Sequence, residues 1–160
     1  MGFSEVSSLL WQEREALELL LFKLVEERLI VAAGESKWLP AANREVETVV
    51  EQLRAVEVRR AVEVAEIVRG LGRSESVTLQ ELAALAAEPW AAILNDHRTA
   101  MLALVAELEQ TSTQNRALLA MGARSIRETL LALTESVDTY DGRGVASAAG
   151  PRSVIMDEHA

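Results

Sequence analysis

Residues 9–33 read LLWQEREALELLLFKLVEERLIVAA, and their spacing decides the fold. Leu10, Leu17, Leu24 and Val31 recur at intervals of seven, and Trp38 continues the step past the end of the stretch. Seven residues make nearly two turns of an α-helix, so these side chains return to one face and form a seam that other helices must cover. Leu19 and Leu21, on either side of Leu20, widen the apolar face enough for a core of three helices. Gln12, Glu13, Arg14, Glu15 and Glu18 break the apolar run, and Met1–Ser8 has no basic residue ahead of it, so neither a signal peptide nor a membrane span fits. Cytoplasm is the expected compartment.

Working outward, the first helix starts near Ser4 or Ser8, both suited to capping, and stops at Gly34. About 29 residues give roughly 44 Å of helix. A second helix opens at Ser36 or Pro40, turns Leu39, Val46, Val49, Leu53, Val56, Val62, Ile67 and Val68 to the core, and ends at Gly70 and Gly72. Thr78 with Glu81 makes a capping box for a short helix to about Ala87. Pro89 then opens a last helix whose stripe, Trp90, Ile93, Leu94, His97, Met101, Leu104, Leu108 and Leu118, leads toward Val137. The expectation is an all-α, elongated antiparallel bundle of three long helices and one short one. Residues 1–137 form the bundle, with the final helix over about 89–137. Residues 138–160 form a flexible, disordered tail in which Val154, Ile155 and Met156 are either a docking segment or a frayed terminus.

Composition agrees. The 160 residues suffice for one domain, aromatic residues make up 4%, and the net charge is −9. Nucleic acid is an unfit partner, because phosphate needs a basic face and the arginines here are interleaved with glutamates. With no cysteine there is no disulfide, thiolate metal site or thiol nucleophile.

Helix lengths carry the first functional expectation. A final helix of about 49 residues spans roughly 73 Å, and if it starts level with the first helix it outruns its partners by roughly 25 Å. The overhang begins near Gly122, yet Leu119, Gly122, Ile126, Leu130, Leu133 and Val137 keep the three-and-four spacing of a face destined for burial. Something else must cover it. Thr111 and Asn115 interrupt the same seam further up, predicting a bend or a buried polar layer that fixes helix register.

Chemistry is poorly provided for. His97 has Leu94 three residues before it where a bundle metal site needs a glutamate, so it reads as a structural seam histidine. Neither Ser-x-x-Lys, Gly-x-Ser-x-Gly nor a phosphate loop occurs. The paired carboxylates Glu13 with Glu15 and Glu26 with Glu27 read as solvated faces, and Trp11, Trp38 and Trp90 as rings sealing bundle ends. No enzyme activity, cofactor or metal is expected.

The opening Leu10 to Leu20, the turn Ala32-Ala33-Gly34 to Leu39, the entry Glu88-Pro89-Trp90 with Asp96-His97-Arg98, and Asn115 to Leu119 ahead of Thr139 to Gly144 together resemble the FlgN family of flagellar export chaperones. The likeness covers residues 5 to 144. It implies an all-helical cytoplasmic chaperone without cofactor. Such a chaperone binds the C-terminal helices of the hook-associated, hook-filament junction proteins, prevents their early assembly and delivers them to the export apparatus. It also implies client binding toward the C-terminal helix and tail, which here means Leu119, Ile126, Leu130, Leu133, Val137, Tyr140 and Gly144. The competing reading is a self-associating structural coiled coil, an antiparallel homodimer in which a second copy covers the stripe.

Overall fold

The computed structural model describes residues 2–74 and 76–148, with the side chains at 123, 125, 126, 129, 130 and 132–148 outside the described set. Four α-helices run in order: α1 (Phe3–Ala32), α2 (Leu39–Gly70), α3 (Leu79–Leu85) and α4 (Trp90–Ala148). A 3-10 turn, Ser36–Trp38, leads into α2. No strand occurs among the described residues.

Local chemistry sets most of these boundaries. α1 and α2 end alike. Gly34 and Gly72 take the left-handed backbone at φ 73° and 74°. The next N–H in each case reaches back to the helix, Glu35 to the Ile30 carbonyl and Arg73 to the Val68 carbonyl, both at 3.1 Å. That is the Schellman closure, which satisfies carbonyls left over at a helix end and suits glycine because no Cβ clashes there. Thr78 caps α3: the Glu81 N–H donates to its hydroxyl at 3.2 Å, while its own N–H donates to the Glu81 carboxylate at 2.7 Å. The start of α1 differs from expectation. Gly2 stands at the cap and donates to the Glu5 carboxylate at 2.8 Å, so Ser4 and Ser8 lie inside the helix. α4 runs past Val137 to Ala148. Gly142 and Gly144 each cost about 1 kcal/mol relative to alanine but do not forbid a helix, and no proline intervenes between Pro89 and Pro151.

The chain divides into two compact units, Met1–Leu118 and Leu119–Ala160. Within the first, α2 runs antiparallel to α1, as the pairs Glu13 with Arg60 and Lys23 with Glu45 show. α4 runs parallel to α1, because Ser7 meets His97 and Leu24 meets Asn115. The Phe3 and Trp90 rings stack at 6.4 Å, so the two helices start level. Here the core is apolar and continuous: Val6 and Leu10 of α1, Val64 and Val68 of α2, Leu82 and Ala83 of α3 and Leu94 of α4 form one buried cluster. Fully burying Leu10, Leu82 and Leu94 contributes roughly 1.5–3 kcal/mol each before entropy is counted. In the second unit the described backbone is the remainder of α4 from Leu119 to Ala148.

The heptad seam is real but shorter than read. Leu10 and Leu17 are buried, Leu24 and Val31 half-buried, and Trp38 is 56% exposed in the 3-10 turn, beyond the stop at Gly34 that breaks the helical phase. Trp11 is also exposed, about two turns inside α1, so neither ring seals a bundle end; Trp90 alone, against Phe3, does so. Leu19 and Val62 point outward, and Ala42 and Val64 are the α2 core positions that the expected set lacked.

Candidate interaction surface

The buried polar residues follow the seams. Counting in sevens from Leu10, the second seam position of α1 falls at Glu13, Leu20 and Glu27. Glu13 and Glu27 are both buried, contrary to their reading as solvated faces. Glu13 is fully inaccessible and accepts from Arg60 Nε at 2.7 Å through Oε1, while Oε2 has no hydrogen-bond partner. Burial pushes its carboxyl above the usual range, the Arg60 guanidinium pulls it back, and nearby Glu57 pushes again.

His97 on α4 is 2% exposed and faces three α1 residues. Ser7 Oγ lies 3.0 Å from Nε2, Arg14 Nη1 lies 3.5 Å from Nδ1, and the Trp11 ring meets the imidazole edge-on with centroids 5.1 Å apart. A guanidinium can only donate, so Nδ1 accepts, which places the imidazole proton on Nε2 as donor to Ser7. In that tautomer Nε2 has no lone pair to take the Ser7 proton, and the pair is not a nucleophile with its base. Arg14 also stacks over the Trp11 ring at 4.1 Å, which explains an exposed tryptophan by a cation held against its face. The expected structural histidine is what the structure contains.

Burial first, then the Arg14 charge, holds His97 below its ordinary value of 6.5, with Asp96 opposing. The folded state therefore disfavours the protonated ring. As pH falls below about 6.5 the unfolded chain takes up the proton first, and stability is lost downward from there. The melting temperature should drop between about pH 7.5 and pH 5.5. In a His97→Gln variant the drop should be smaller, since Glu13, which titrates with the opposite sign, is common to both chains. Equal drops would assign the loss to other groups.

The predicted polar layer is also present. Asn115 is buried, its Nδ2 donates to the Leu24 carbonyl at 2.8 Å and approaches Glu27 Oε1 at 3.4 Å, and Thr111 is buried one turn before it. Outside, Arg28 donates to Gln114 at 2.7 Å.

Of the residues expected to bind a client, Leu119 is 39% exposed. Ile126, Leu130, Leu133, Val137, Tyr140 and Gly144 fall on the α4 backbone, but their side chains lie outside the described set. Val154, Ile155 and Met156 lie outside the described residues altogether. Met121 and Leu131 on the same helix are strongly exposed, and a Cβ built on Gly122 would meet open space. Sequence reasoning missed a second apolar surface. Phe22, Val25, Leu29, Ile30, Ala33 and Trp38 line a groove of about 360 Å³ beside the α1–α2 turn, with Phe22, Leu29 and Trp38 each more than half exposed. The signal was there in the spacing of Phe22, Val25, Leu29 and Ala33, a second helical stripe beside the heptad seam.

Among the described residues no group of three His, Asp or Glu could hold a metal, and no helix is long and apolar enough to cross a membrane. What the fold offers is a bundle of three long helices and one short one with exposed apolar surface, which is the build of a helical binding protein. Residues 1–148 match the family model described as FlgN protein, and the chain belongs to this family, the flagellar export chaperones. No curated protein and no solved structure matches the chain.

Proposed function

We propose that the chain is a cytoplasmic export chaperone for the flagellar hook-associated proteins, binding their C-terminal helices, holding them from premature assembly and handing them to the export apparatus. The observation that carries the reading is the family match over residues 1–148. Exposed apolar residues on α4 from Leu119 onward support a helix-in-groove mode, with Leu119, Met121 and Leu131 turned to solvent. In this reading the stripe Leu119, Ile126, Leu130, Leu133 and Val137 takes the apolar face of a client helix, gaining roughly 1.5–3 kcal/mol per large side chain fully buried, before ordering costs. Tyr140 adds a ring that packs and a hydroxyl that donates one hydrogen bond, and Gly144 lets a client backbone come close.

The test is calorimetry of the full chain against the C-terminal helical regions of the hook-filament junction proteins from the same genome, beside a chain ending at Leu119. Binding by the full chain that vanishes in the shortened one supports role and site together. No binding by the full chain to either client, with a mass that doubles as concentration rises, supports the antiparallel homodimer in which a second copy covers the stripe.

A further inference from the structure

We infer that the α1–α4 seam is built to open from its Asn115 end while the end at Leu10 and Leu94 stays closed. The two ends of this interface are made differently. At the first, Val6 and Leu10 meet Leu94 in the continuous apolar cluster that α2 and α3 complete. Toward the other, Leu108 is the last buried apolar residue of α4 among the described residues, and the positions that follow are Thr111 and Asn115. α1 matches them with Glu27, between the half-buried Leu24 and Val31.

This layer is only partly satisfied. Asn115 Nδ2 has its acceptors, but Oδ1 is buried with no partner, and the buried Glu27 meets that amide only at a long 3.4 Å. A buried polar group without a partner costs free energy that water would return, so hydrating this layer offsets part of the cost of parting the helices there. At the Leu10 end Glu13 Oε2 and Arg14 Nε are also buried without a partner and His97 meets Ser7, but parting there must in addition expose the apolar cluster that all four helices share, which outweighs that gain. The bond that closes the layer on the outside, Arg28 to Gln114, is exposed and competes with water. Opening bares Leu24 and Val31 of α1 and Leu118 of α4, an apolar strip with polar punctuation. If the chaperone reading holds, the strip is a second place for a client helix to lie; the opening itself does not depend on that reading and is measured without a client.

Hydrogen exchange on the full chain, read by mass spectrometry, is the test. Amides of residues 24–32 and 108–118 should exchange at least about tenfold faster than those of residues 3–17 and 90–104, because sub-global opening releases them first. Residues 108–118 lie inside the continuous helix α4, so fraying of a helix end does not account for fast exchange there. In the variant Glu27→Leu with Asn115→Leu, which replaces the polar layer by apolar contact, exchange in both segments should slow by about tenfold toward that of the apolar end. Uniform protection along α1 and α4 in the natural chain overturns the inference, as does a folded variant whose far-end exchange is unchanged. The first comparison stands by itself if the variant fails to fold.

Discussion

Replacing Arg60 with alanine should destabilise the fold by about 3 kcal/mol, whereas Glu13→Leu together with Arg60→Met should come close to neutral. The asymmetry follows from where the two partners sit. Glu13 is completely inaccessible, while the Arg60 side chain is 27% exposed and can turn to water. Removing the arginine strands a buried carboxylate, with Glu57 adding like charge and Oε2 already without a partner. Removing the glutamate strands nothing, because a guanidinium at the rim rehydrates. Sign and pH dependence can be read in advance. Burial raises the Glu13 carboxyl above its ordinary 4.5, so the folded state favours its protonated form and the charged form's cost appears as pH rises. Without Arg60 the carboxyl moves up further, and the loss of stability should be larger at neutral pH than in acid. Urea unfolding followed by circular dichroism at the two pH values measures both statements. A loss below about 1 kcal/mol at neutral pH would class the pair with solvent-exposed ion pairs and mean that water reaches Glu13.

That pair also shows what the sequence could and could not reveal. Gly34, Gly72 and the Thr78–Glu81 box were legible because a helix end is a local problem: a few backbone groups need partners, and only certain residues supply them. Asn115 was legible because an amide in a heptad seam is conspicuous among leucines. Glu13 and Glu27 were not, although they stand three residues after Leu10 and Leu24, at the second seam position. Surrounded by other glutamates and arginines, they looked like a solvated face, and only the packing of α2 and α4 onto α1 decides otherwise. Leu19, Val62 and Trp11 failed in the opposite sense. Periodicity identifies a stripe, but which of two adjacent stripes meets a partner is set by the angle at which helices pack. The groove of Phe22, Leu29 and Trp38 was missed for the same reason, being a second stripe beside the one that was followed. For the proposed client surface, sequence gives the spacing of Leu130, Leu133 and Val137, and Leu119 is the member of that set whose exposure is described.

Leu130→Asp combined with Leu133→Asp should abolish binding to the hook-associated clients while leaving the helical circular dichroism signal intact. The expectation rests on the proposed client stripe and on two magnitudes. Two large apolar side chains buried against a client contribute together roughly 3–6 kcal/mol, and an aspartate forced into an apolar groove without a partner costs more again. Each 1.4 kcal/mol is tenfold in affinity, so the pair should lower it by more than about a thousandfold, which calorimetry reads as no binding. Helicity should survive because Leu130 and Leu133 fall in the unit beginning at Leu119, outside the buried cluster of Val6, Leu10, Leu82 and Leu94. Aspartate lowers helix propensity by less than about 1 kcal/mol per position, too little to melt the bundle. A matched variant, Phe22→Asp with Leu29→Asp, places the same charges in the exposed groove of α1. If clients bind only along the C-terminal half of α4, that variant should bind as the natural chain does. Loss of binding in the α1 variant with retention in the α4 variant would move the client surface to the groove at the α1–α2 turn, and retention in both would leave neither stripe as the place where clients are held.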